Sequence, residues 1–220
     1  WLEASGWQMP PVDALPTGSE LVHDYMQPLA ALPQIASQLR LSSKVVAISR
    51  LHTDKMKDKQ RDDLPFVLHI EPEEGDPYFV QASAVIDASG TWHNPNPLGA
   101  HGLTAPGEAA QRDAIVYGIP DVLGADSQRY ANQRVLVLGS GHSAINAVIE
   151  LGQLRETAPD TTVYWAMRGT NLRKVYGGET DDALPARGAL GTKVRNLVER
   201  GAVTILSPFY LERIVEDGEG

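Results

Sequence analysis

The sequence predicts an α/β protein with a central parallel sheet and, earlier in the chain, a smaller antiparallel β-meander. Two observations favour this fold class. Residues 134–154, RVLVLGSGHSAINAVIELGQL, pass from an apolar run through a glycine turn into an amphipathic pattern. Residues 44–48, 65–71 and 78–82 are β-type runs joined by polar connections, which is the pattern of a meander.

The first of these stretches predicts a strand followed by a helix. The apolar run at residues 135–138 is short and unbroken, as in a strand that is buried on both faces of a sheet. The next apolar residues have the spacing of a helix with one buried face: they are Ala144, Ile145, Val148, Ile149, Leu151 and Leu154. Strand, glycine turn and helix in this order form the first half of a Rossmann-like dinucleotide-binding unit.

The glycine turn itself carries the predicted chemistry. Gly139 permits a tight turn that residues with a β-carbon resist, Gly141 lets the backbone approach a pyrophosphate, and the small Ala144 lets the helix pack close to the strand. The free N–H groups and the positive end of the helix dipole would face the phosphates. A structural turn without a ligand is the alternative. The predicted cofactor-binding residues here are Gly139, Ser140, Gly141, His142, Ser143 and Ala144.

The residues after the next predicted strand, 162–167, favour NADP(H) over NAD(H). In NAD-specific units an acidic residue at the end of this strand binds the ribose 2′-hydroxyl. Here the strand is followed by Arg168, with Thr170, Arg173 and Lys174 close behind. A guanidinium suits a 2′-phosphate because it makes paired, charge-assisted hydrogen bonds. We predict that Arg168 and Thr170 bind the cofactor, and a solvated surface arginine is the alternative.

The composition argues against several functional classes. The formal net charge of −9 disfavours a nucleic-acid or membrane-surface partner, because both reward basic patches. No apolar run approaches the roughly 18 residues that a membrane span needs. The absence of cysteine removes disulfides and thiolate metal sites, and the six histidines lack the close spacing of a metal site, so we expect no metal. We expect a cytoplasmic protein without nucleic-acid or membrane partners.

The part of the chain before the glycine turn has mixed patterns. A helix is predicted at about residues 20–32, capped by Thr17 or Ser19, and Pro28 should end or bend it. The charge run at residues 54–63 predicts a solvated loop. The apolar stretch AVIDASGTW, residues 84–92, predicts a strand that runs into a turn of small residues, where a ligand could approach closely. The alternative is an ordinary transition from strand to loop, without a ligand.

The part after the glycine unit predicts further α/β elements. Residues 168–184 are a polar, glycine-rich loop, residues 186–200 a helix, and residues 202–206 a strand. Residues 210–215 predict the first arm of a hairpin, with its turn at EDGEG, residues 216–220. Between Gly99 and the central unit, residues 100–133 are rich in loop-forming residues.

Two motifs in this order resemble those of the two-dinucleotide-binding flavoproteins. That family includes the class B flavin monooxygenases and related pyridine-nucleotide-dependent oxidoreductases. In it an ATG-like motif links an FAD domain to an NADPH domain, and Ala88-Ser89-Gly90-Thr91 is similar to that motif. A GxGxSA motif begins the NADPH domain, and GSGHSA at residues 139–144 is similar to it. The resemblance covers most of the chain, from about Thr17 onward.

The resemblance implies a domain organisation and a second cofactor. Residues 1–128 would be a partial FAD-binding domain with a linker, residues 129–202 the NADP(H)-binding core, and residues 203–220 the start of a return to the FAD domain. Residues 44–48, with the predicted cofactor-binding residue Val46, would lie by the adenine side of FAD in the full-length protein, and Ser89, Gly90 and Thr91 would be cofactor-binding residues of the motif that links the two domains. The family's first glycine motif does not occur in the sequence, and the chain opens on Trp1 without a methionine. We therefore expect a central fragment that does not retain FAD tightly.

The activity implied by the resemblance is an FAD-dependent oxidoreductase that uses NADPH to reduce flavin, in one version a monooxygenase. Residues 103–122, where the monooxygenase fingerprint would fall, contain Gly107 but no histidine, which argues against oxygen transfer. The alternatives are a flavin-dependent reductase or dehydrogenase with another acceptor, and an NADP(H)-sensing regulatory module. No catalytic residue emerges. A small-molecule substrate or electron acceptor is the expected partner, and apolar surface exposed by truncation could support a homodimer.

Overall fold

The structure of the protein is a computed structural model. It describes residues 1–91, 94–178, 182 and 184–216. The chain divides into two compact units, Trp1–Ala88 and Ser89–Gly220. The first contains a three-stranded antiparallel sheet and the second a three-stranded parallel sheet. The predicted α/β class is therefore confirmed in its general form.

The first unit begins with a short 3-10 helix, Glu3–Ser5, and a continuous helix of three segments. These segments are α1 (Gly18–Glu20), a π-helical stretch (Leu21–Met26) and α2 (Gln27–Ala30), followed by the separate α3 (Pro33–Ala36). Thr17 is the cap: its hydroxyl accepts a hydrogen bond from the Glu20 amide at 3.2 Å, and the Glu20 carboxylate accepts one from the Thr17 amide at 2.7 Å. This reciprocal arrangement satisfies two amides at the start of the helix.

Pro28 does not end this helix. A proline lacks the N–H that would bond to the carbonyl four residues earlier, which here is that of Asp24. That carbonyl instead accepts a hydrogen bond from the indole Nε1 of Trp7 at 2.5 Å. The preceding turn is widened, since the Gln27 amide donates to the Val22 carbonyl. The helix thus continues to Ala30 because another donor replaces the missing one.

The predicted meander is confirmed. Its strands are β1 (Ser43–Arg50), β2 (Phe66–Pro72) and β3 (Tyr78–Ala82), paired antiparallel in chain order. Val45 pairs with Ile70 and Ala47 with His69, so Val46 is the extra residue of a β-bulge. The connection between β1 and β2 is a loop with one 3-10 turn, Arg61–Asp63, as its charge run predicts.

The strand predicted at residues 84–92 is wrong where the structure describes it. Residues 84–91 have no regular secondary structure, and Trp92 lies outside the described residues. Ile86 is 92 % exposed. An apolar run becomes a strand only when a neighbouring strand satisfies its backbone groups, and no described strand pairs with this segment.

The second unit is built on a parallel sheet. Its strands are β4 (Arg134–Leu138), β5 (Thr162–Ala166) and β6 (Thr204–Leu206), in the spatial order β4-β5-β6. The helices are α4 (Ser127–Tyr130), α5 (His142–Leu154), α6 (Leu172–Tyr176) and α7 (Pro185–Glu199), with a 3-10 turn at Arg112–Ala114. The predicted strand–turn–helix unit and the predicted helix and strand after it are present. The expected loop at residues 168–184 contains α6, while residues 179–181 and 183 of that loop lie outside the described residues.

The core of the second unit lies on one face of the parallel sheet. Val163, Trp165 and Met167 point into it and pack with residues of α5 and α7. The helices approach closely, since a β-carbon on Gly152 of α5 would lie 2.6 Å from a methyl carbon of Leu197 in α7. On β4, however, Leu136 is 46 % exposed. The prediction that β4 is buried on both faces is therefore wrong, because the described helices cover only the face of Val135 and Val137.

The end of the chain packs against a loop rather than forming a hairpin arm. No strand is present at residues 210–215. Instead the Ala100 amide donates to the Leu211 carbonyl at 2.9 Å, and the Ile214 amide donates to the Pro106 carbonyl at 2.8 Å. The segment's backbone groups are thus taken by the loop at residues 98–117. Residues 217–220 of the predicted turn lie outside the described residues.

Candidate functional site

The glycine turn lies between β4 and α5, at the carboxyl end of the parallel sheet. Gly139 has a φ of +132°, a conformation that residues with a side chain rarely adopt. Its amide donates to the Ala166 carbonyl at 2.9 Å, which extends the ladder between β4 and β5. A β-carbon at this position would lie 3.7 Å from that of Ala144, an ordinary contact. Backbone conformation, rather than lack of space, therefore requires glycine here.

Gly141 differs from Gly139 in that no residue described in the structure requires it to be glycine. It is the N-cap of α5, with a φ of −83° and a ψ of 173°, which any residue can adopt. A β-carbon here would meet no atom within 4 Å. The space in front of this backbone is therefore open to a ligand.

The first turn of α5 faces this open space with unused donors. Within the part of the chain that the structure describes, the amides of His142, Ser143 and Ala144 donate no backbone hydrogen bond, and no side chain caps the helix. The first helical hydrogen bond to the cap runs from the Ile145 amide to the Gly141 carbonyl, at 3.1 Å. Unpaired amides and the helix dipole make such an end attractive to an anion.

Trp165 supports the turn from inside the core. The side chain is completely buried, and its indole Nε1 donates to the Gly139 carbonyl at 2.7 Å. The core of the second unit thus holds the turn in place through a specific hydrogen bond. In the sequence, the tryptophan in the strand that follows the glycine motif is one indirect sign of this contact. The sign is not sufficient, because the contact depends on the register between the two strands. β5 is paired so that Trp165 lies opposite Val137.

Arg168 lies at the same edge of the sheet as the glycine turn. The register pairs Leu138 with Ala166, so Ser140 and Arg168 each follow this pair by two positions at the carboxyl ends of parallel strands. Arg168 is exposed, and its Nη1 donates to the Ala100 carbonyl at 3.4 Å. The structure therefore brings a cation to the edge where α5 presents its amides.

The other predicted residues around the turn are on the surface. Ser140, His142 and Ser143 are exposed, and His142 is the first residue of α5. Thr170 is also exposed, in the segment between β5 and α6. All four side chains are accessible to a ligand at this edge.

A buried carboxylate orders the loop that reaches Arg168. Glu108 is 3 % exposed, and its carboxylate accepts hydrogen bonds from the Ala105 amide at 2.8 Å, the Leu98 amide at 3.1 Å and the Tyr117 hydroxyl. Burial alone would raise the pKa of Glu108, but these hydrogen bonds and the charge of Arg112 outweigh it, so the pKa lies below its usual value. The carboxylate is a structural anchor for the loop, and its sequence neighbourhood does not indicate this role.

The residues predicted to bind FAD, and those of the motif that would link the two domains, lie in different units of the chain. Val46 is half-exposed on the bulge of β1 in the first unit. Ser89, Gly90 and Thr91 are exposed in an irregular segment of the second unit. Gly90 has a φ of +66°, and a β-carbon there would meet no atom within 4 Å. Within its own unit each set of residues lies at the surface, and FAD binding remains an expectation from the resemblance.

Comparisons with known proteins give no family for this chain. No protein-family model matches the chain, and no curated protein matches it significantly. Within residues 1–91, 94–178, 182 and 184–216, no cluster of His, Asp and Glu side chains is arranged to hold a metal ion. No described helix has the length and apolar character that crossing a membrane requires.

Proposed function

We propose that the second unit binds NADP(H) at the turn between β4 and α5, as part of an FAD-dependent oxidoreductase. The observation that carries the first half of this proposal is Gly141. At the cap of α5, beside three free amides, a glycine without a special φ and without an atom within 4 Å of a β-carbon leaves room for a pyrophosphate, which a side chain would exclude.

Three further features support a dinucleotide. The spatial order β4-β5-β6, with all strands parallel, is that of one half of a doubly wound dinucleotide-binding sheet. The free amides of His142, Ser143 and Ala144 suit the pyrophosphate. Arg168 at the end of β5 suits a 2′-phosphate because its guanidinium donates paired, charge-assisted hydrogen bonds.

The chain's own residues would hold and orient the nucleotide. The amides of α5 would bind the pyrophosphate, and Gly139, held by Trp165, would keep the turn in position. Arg168 and Thr170 would bind the 2′-phosphate on the adenosine ribose, and His142 would lie beside the pyrophosphate. Bound NADPH supplies a hydride, and the protein's part is binding and orientation.

The flavin half of the proposal rests on the resemblance of Ala88-Ser89-Gly90-Thr91 and GSGHSA to the two-dinucleotide-binding flavoproteins. The division into residues 1–128, 129–202 and 203–220, the cytoplasmic location and the small-molecule substrate or acceptor belong to the same proposal. Oxidation of NADPH by the full-length protein tests it. Oxygen consumption would indicate a monooxygenase or an oxidase, a need for an added acceptor would indicate a reductase or dehydrogenase, and binding without turnover would indicate a sensor.

The binding site is tested by a single substitution. We expect Gly141→Val to abolish NADP⁺ binding in calorimetric titration, because the branched side chain would occupy the space of the pyrophosphate. Gly18→Val is the matched control, since Gly18 also begins a helix and has no atom within 4 Å of a β-carbon. Equal NADP⁺ affinity of the Gly141→Val protein and the unmodified chain would refute the site.

The choice of nucleotide is tested at Arg168. We expect Arg168→Ala to weaken NADP⁺ binding by roughly 1.5–3 kcal/mol, the range for hydrogen bonds to charged groups, and to leave NAD⁺ binding nearly unchanged. Arg200→Ala removes an exposed arginine at the end of α7 and serves as the control for net charge. Equal losses for both nucleotides would refute a role in binding the 2′-phosphate.

A further inference from the structure

A residue with a second hydrogen-bond donor, His101, directly follows the residue whose carbonyl Arg168 contacts, on a loop far away in sequence. The Ala100 carbonyl that accepts from Arg168 Nη1 at 3.4 Å belongs to a tight turn, in which the Gly102 amide donates to the Gly99 carbonyl at 3.0 Å. His101 occupies the corner of this turn directly after Ala100. Its side chain is exposed to solvent.

The turn that carries His101 is held on several sides. The Ala100 amide donates to the Leu211 carbonyl at 2.9 Å. Gly99 fits closely, because a β-carbon there would lie 2.1 Å from the Leu103 carbonyl oxygen. Gly102 has a φ of +73°, which favours glycine at the end of the turn. These contacts fix the backbone of His101 beside Arg168.

Covalent geometry limits the distance between His101 and Arg168. The Cα of a residue lies about 2.8 Å from the carbonyl oxygen of the residue before it. Adding the 3.4 Å between that oxygen and Arg168 Nη1 puts the His101 Cα within about 6 Å of the guanidinium. An imidazole donates at least one N–H in either protonation state, and this separation is compatible with one phosphate group bound between the two residues.

Among the charged and titratable residues described near the turn, His101 is the one whose backbone is tied to Arg168 by a hydrogen bond to the preceding residue. Glu212 and Arg213 follow Leu211, the residue that holds the turn, and both are exposed. Arg173 and Lys174 are exposed on α6, but no hydrogen bond joins their side chains to the turn or to Arg168 among the described residues. Among the described residues, the side-chain hydrogen bond of Arg168 goes to the Ala100 carbonyl, directly before His101.

We propose that His101 binds the 2′-phosphate of NADP(H) together with Arg168, so that the loop at residues 98–117 helps to select NADP(H) over NAD(H). This inference rests on the proposed nucleotide-binding function. It assigns to the loop a role in specificity that its sequence does not indicate, because the two residues meet only through the fold.

The test is a titration of the purified chain and of its variants with NADP⁺ and NAD⁺. We expect His101→Ala to weaken NADP⁺ binding by about five- to tenfold, the effect of one exposed hydrogen bond to an anion, and to leave NAD⁺ binding unchanged. His101→Lys keeps a donor at the same place and should retain the preference for NADP⁺. Arg200→Ala is the control for a cation at the other end of the sheet.

The outcomes separate the two proposals. Selective loss of NADP⁺ affinity in His101→Ala, with the preference retained in His101→Lys, would support the role of His101. Unchanged affinities, or equal losses for NADP⁺ and NAD⁺, would overturn that role while the binding site of the unmodified chain stands. If the unmodified chain binds neither nucleotide, the proposed function and the role of His101 both fall.

Discussion

Replacing Trp165 by phenylalanine should weaken both the core of the second unit and its glycine turn. The indole is completely buried among residues of β5, α5 and α7, and its Nε1 donates to the Gly139 carbonyl at 2.7 Å. Phenylalanine keeps an apolar ring of similar shape but has no donor. The substitution therefore removes one hydrogen bond and some volume, and leaves the rest of the core in place.

The expected loss of stability follows from these two changes. A hydrogen bond of this kind contributes about 1 kcal/mol, and the void left by the smaller ring costs about 1 kcal/mol more. We therefore expect the free energy of unfolding to fall by about 2 kcal/mol, a substantial part of the about 5–15 kcal/mol typical of a domain. The turn should also bind NADP⁺ more weakly, since Gly139 would keep its amide hydrogen bond to the Ala166 carbonyl but lose the hydrogen bond to its own carbonyl.

Urea unfolding followed by circular dichroism measures the first effect, and calorimetric titration with NADP⁺ measures the second. Val194→Ala is the matched control, because Val194 is equally buried in α7 and no hydrogen bond joins its side chain to the turn. The control should lose stability but keep its nucleotide affinity once the folded fraction is taken into account. If Trp165→Phe were as stable as the unmodified chain, or if Val194→Ala lost NADP⁺ affinity to the same degree, the link between core and turn would be refuted.

Three further substitutions test how the second unit is held together. Gly107→Ala should destabilise it by about 3 kcal/mol or more, measured by urea unfolding, because Gly107 has a φ of +88° and a β-carbon would lie 1.9 Å from the Ile214 carbonyl oxygen. Gly191→Ala should cost about 1–3 kcal/mol in thermal unfolding, because its β-carbon would lie 1.8 Å from the Tyr176 carbonyl oxygen and would separate α6 from α7. The unit should also lose stability in acid as Glu108 is protonated. The pKa of Glu108 is lower in the folded state than its usual value. The stabilising effect of the carboxylate is therefore fully present above the usual glutamate pKa and is lost as the pH falls through the lowered pKa. Urea midpoints measured across this pH range should fall for the unmodified chain and should change less for Glu108→Gln.

Each of these predictions has a control in the chain. Gly201 has a φ of +71° but no atom within 4 Å of a β-carbon, so Gly201→Ala isolates backbone strain from the clash expected at Gly107. Gly169 has an open environment and no positive φ, so Gly169→Ala should be nearly neutral. Similar losses in Gly107→Ala and Gly201→Ala would show that the contact with Ile214 is unimportant. Parallel pH curves for Glu108→Gln and the unmodified chain would show that another group causes the acid sensitivity.

Local patterns predicted the elements that depend on neighbouring residues. The apolar run, glycine turn and amphipathic spacing of residues 134–154 are enough for a strand and a helix joined by a tight turn, and β4 and α5 are found there. Alternating runs with polar connections likewise predicted β1, β2 and β3. Backbone conformation and side-chain periodicity act over a few residues, so they are visible in sequence.

Predictions that needed a partner distant in sequence were less successful. Residues 84–91 and 210–215 are apolar enough for strands, but no strand in the described part of the chain pairs with them. Pro28 was expected to end or bend its helix, and the first of these alternatives is wrong, because the helix continues to Ala30 with the Trp7 indole bonded to the Asp24 carbonyl. In each case the outcome depended on which group was available in space to satisfy a backbone donor or acceptor.

The sequence by itself determined the α/β class, the position of the glycine turn and the cationic residue that follows β5. Only the tertiary structure decided that Gly141 faces open space, that Trp165 holds the turn, and that the loop carrying His101 meets Arg168. Those properties arise from contacts between residues that are far apart in the chain, such as Ala100 and Arg168. Such contacts are set by strand register and by the packing of loops onto the sheet, and no local pattern of residues encodes them.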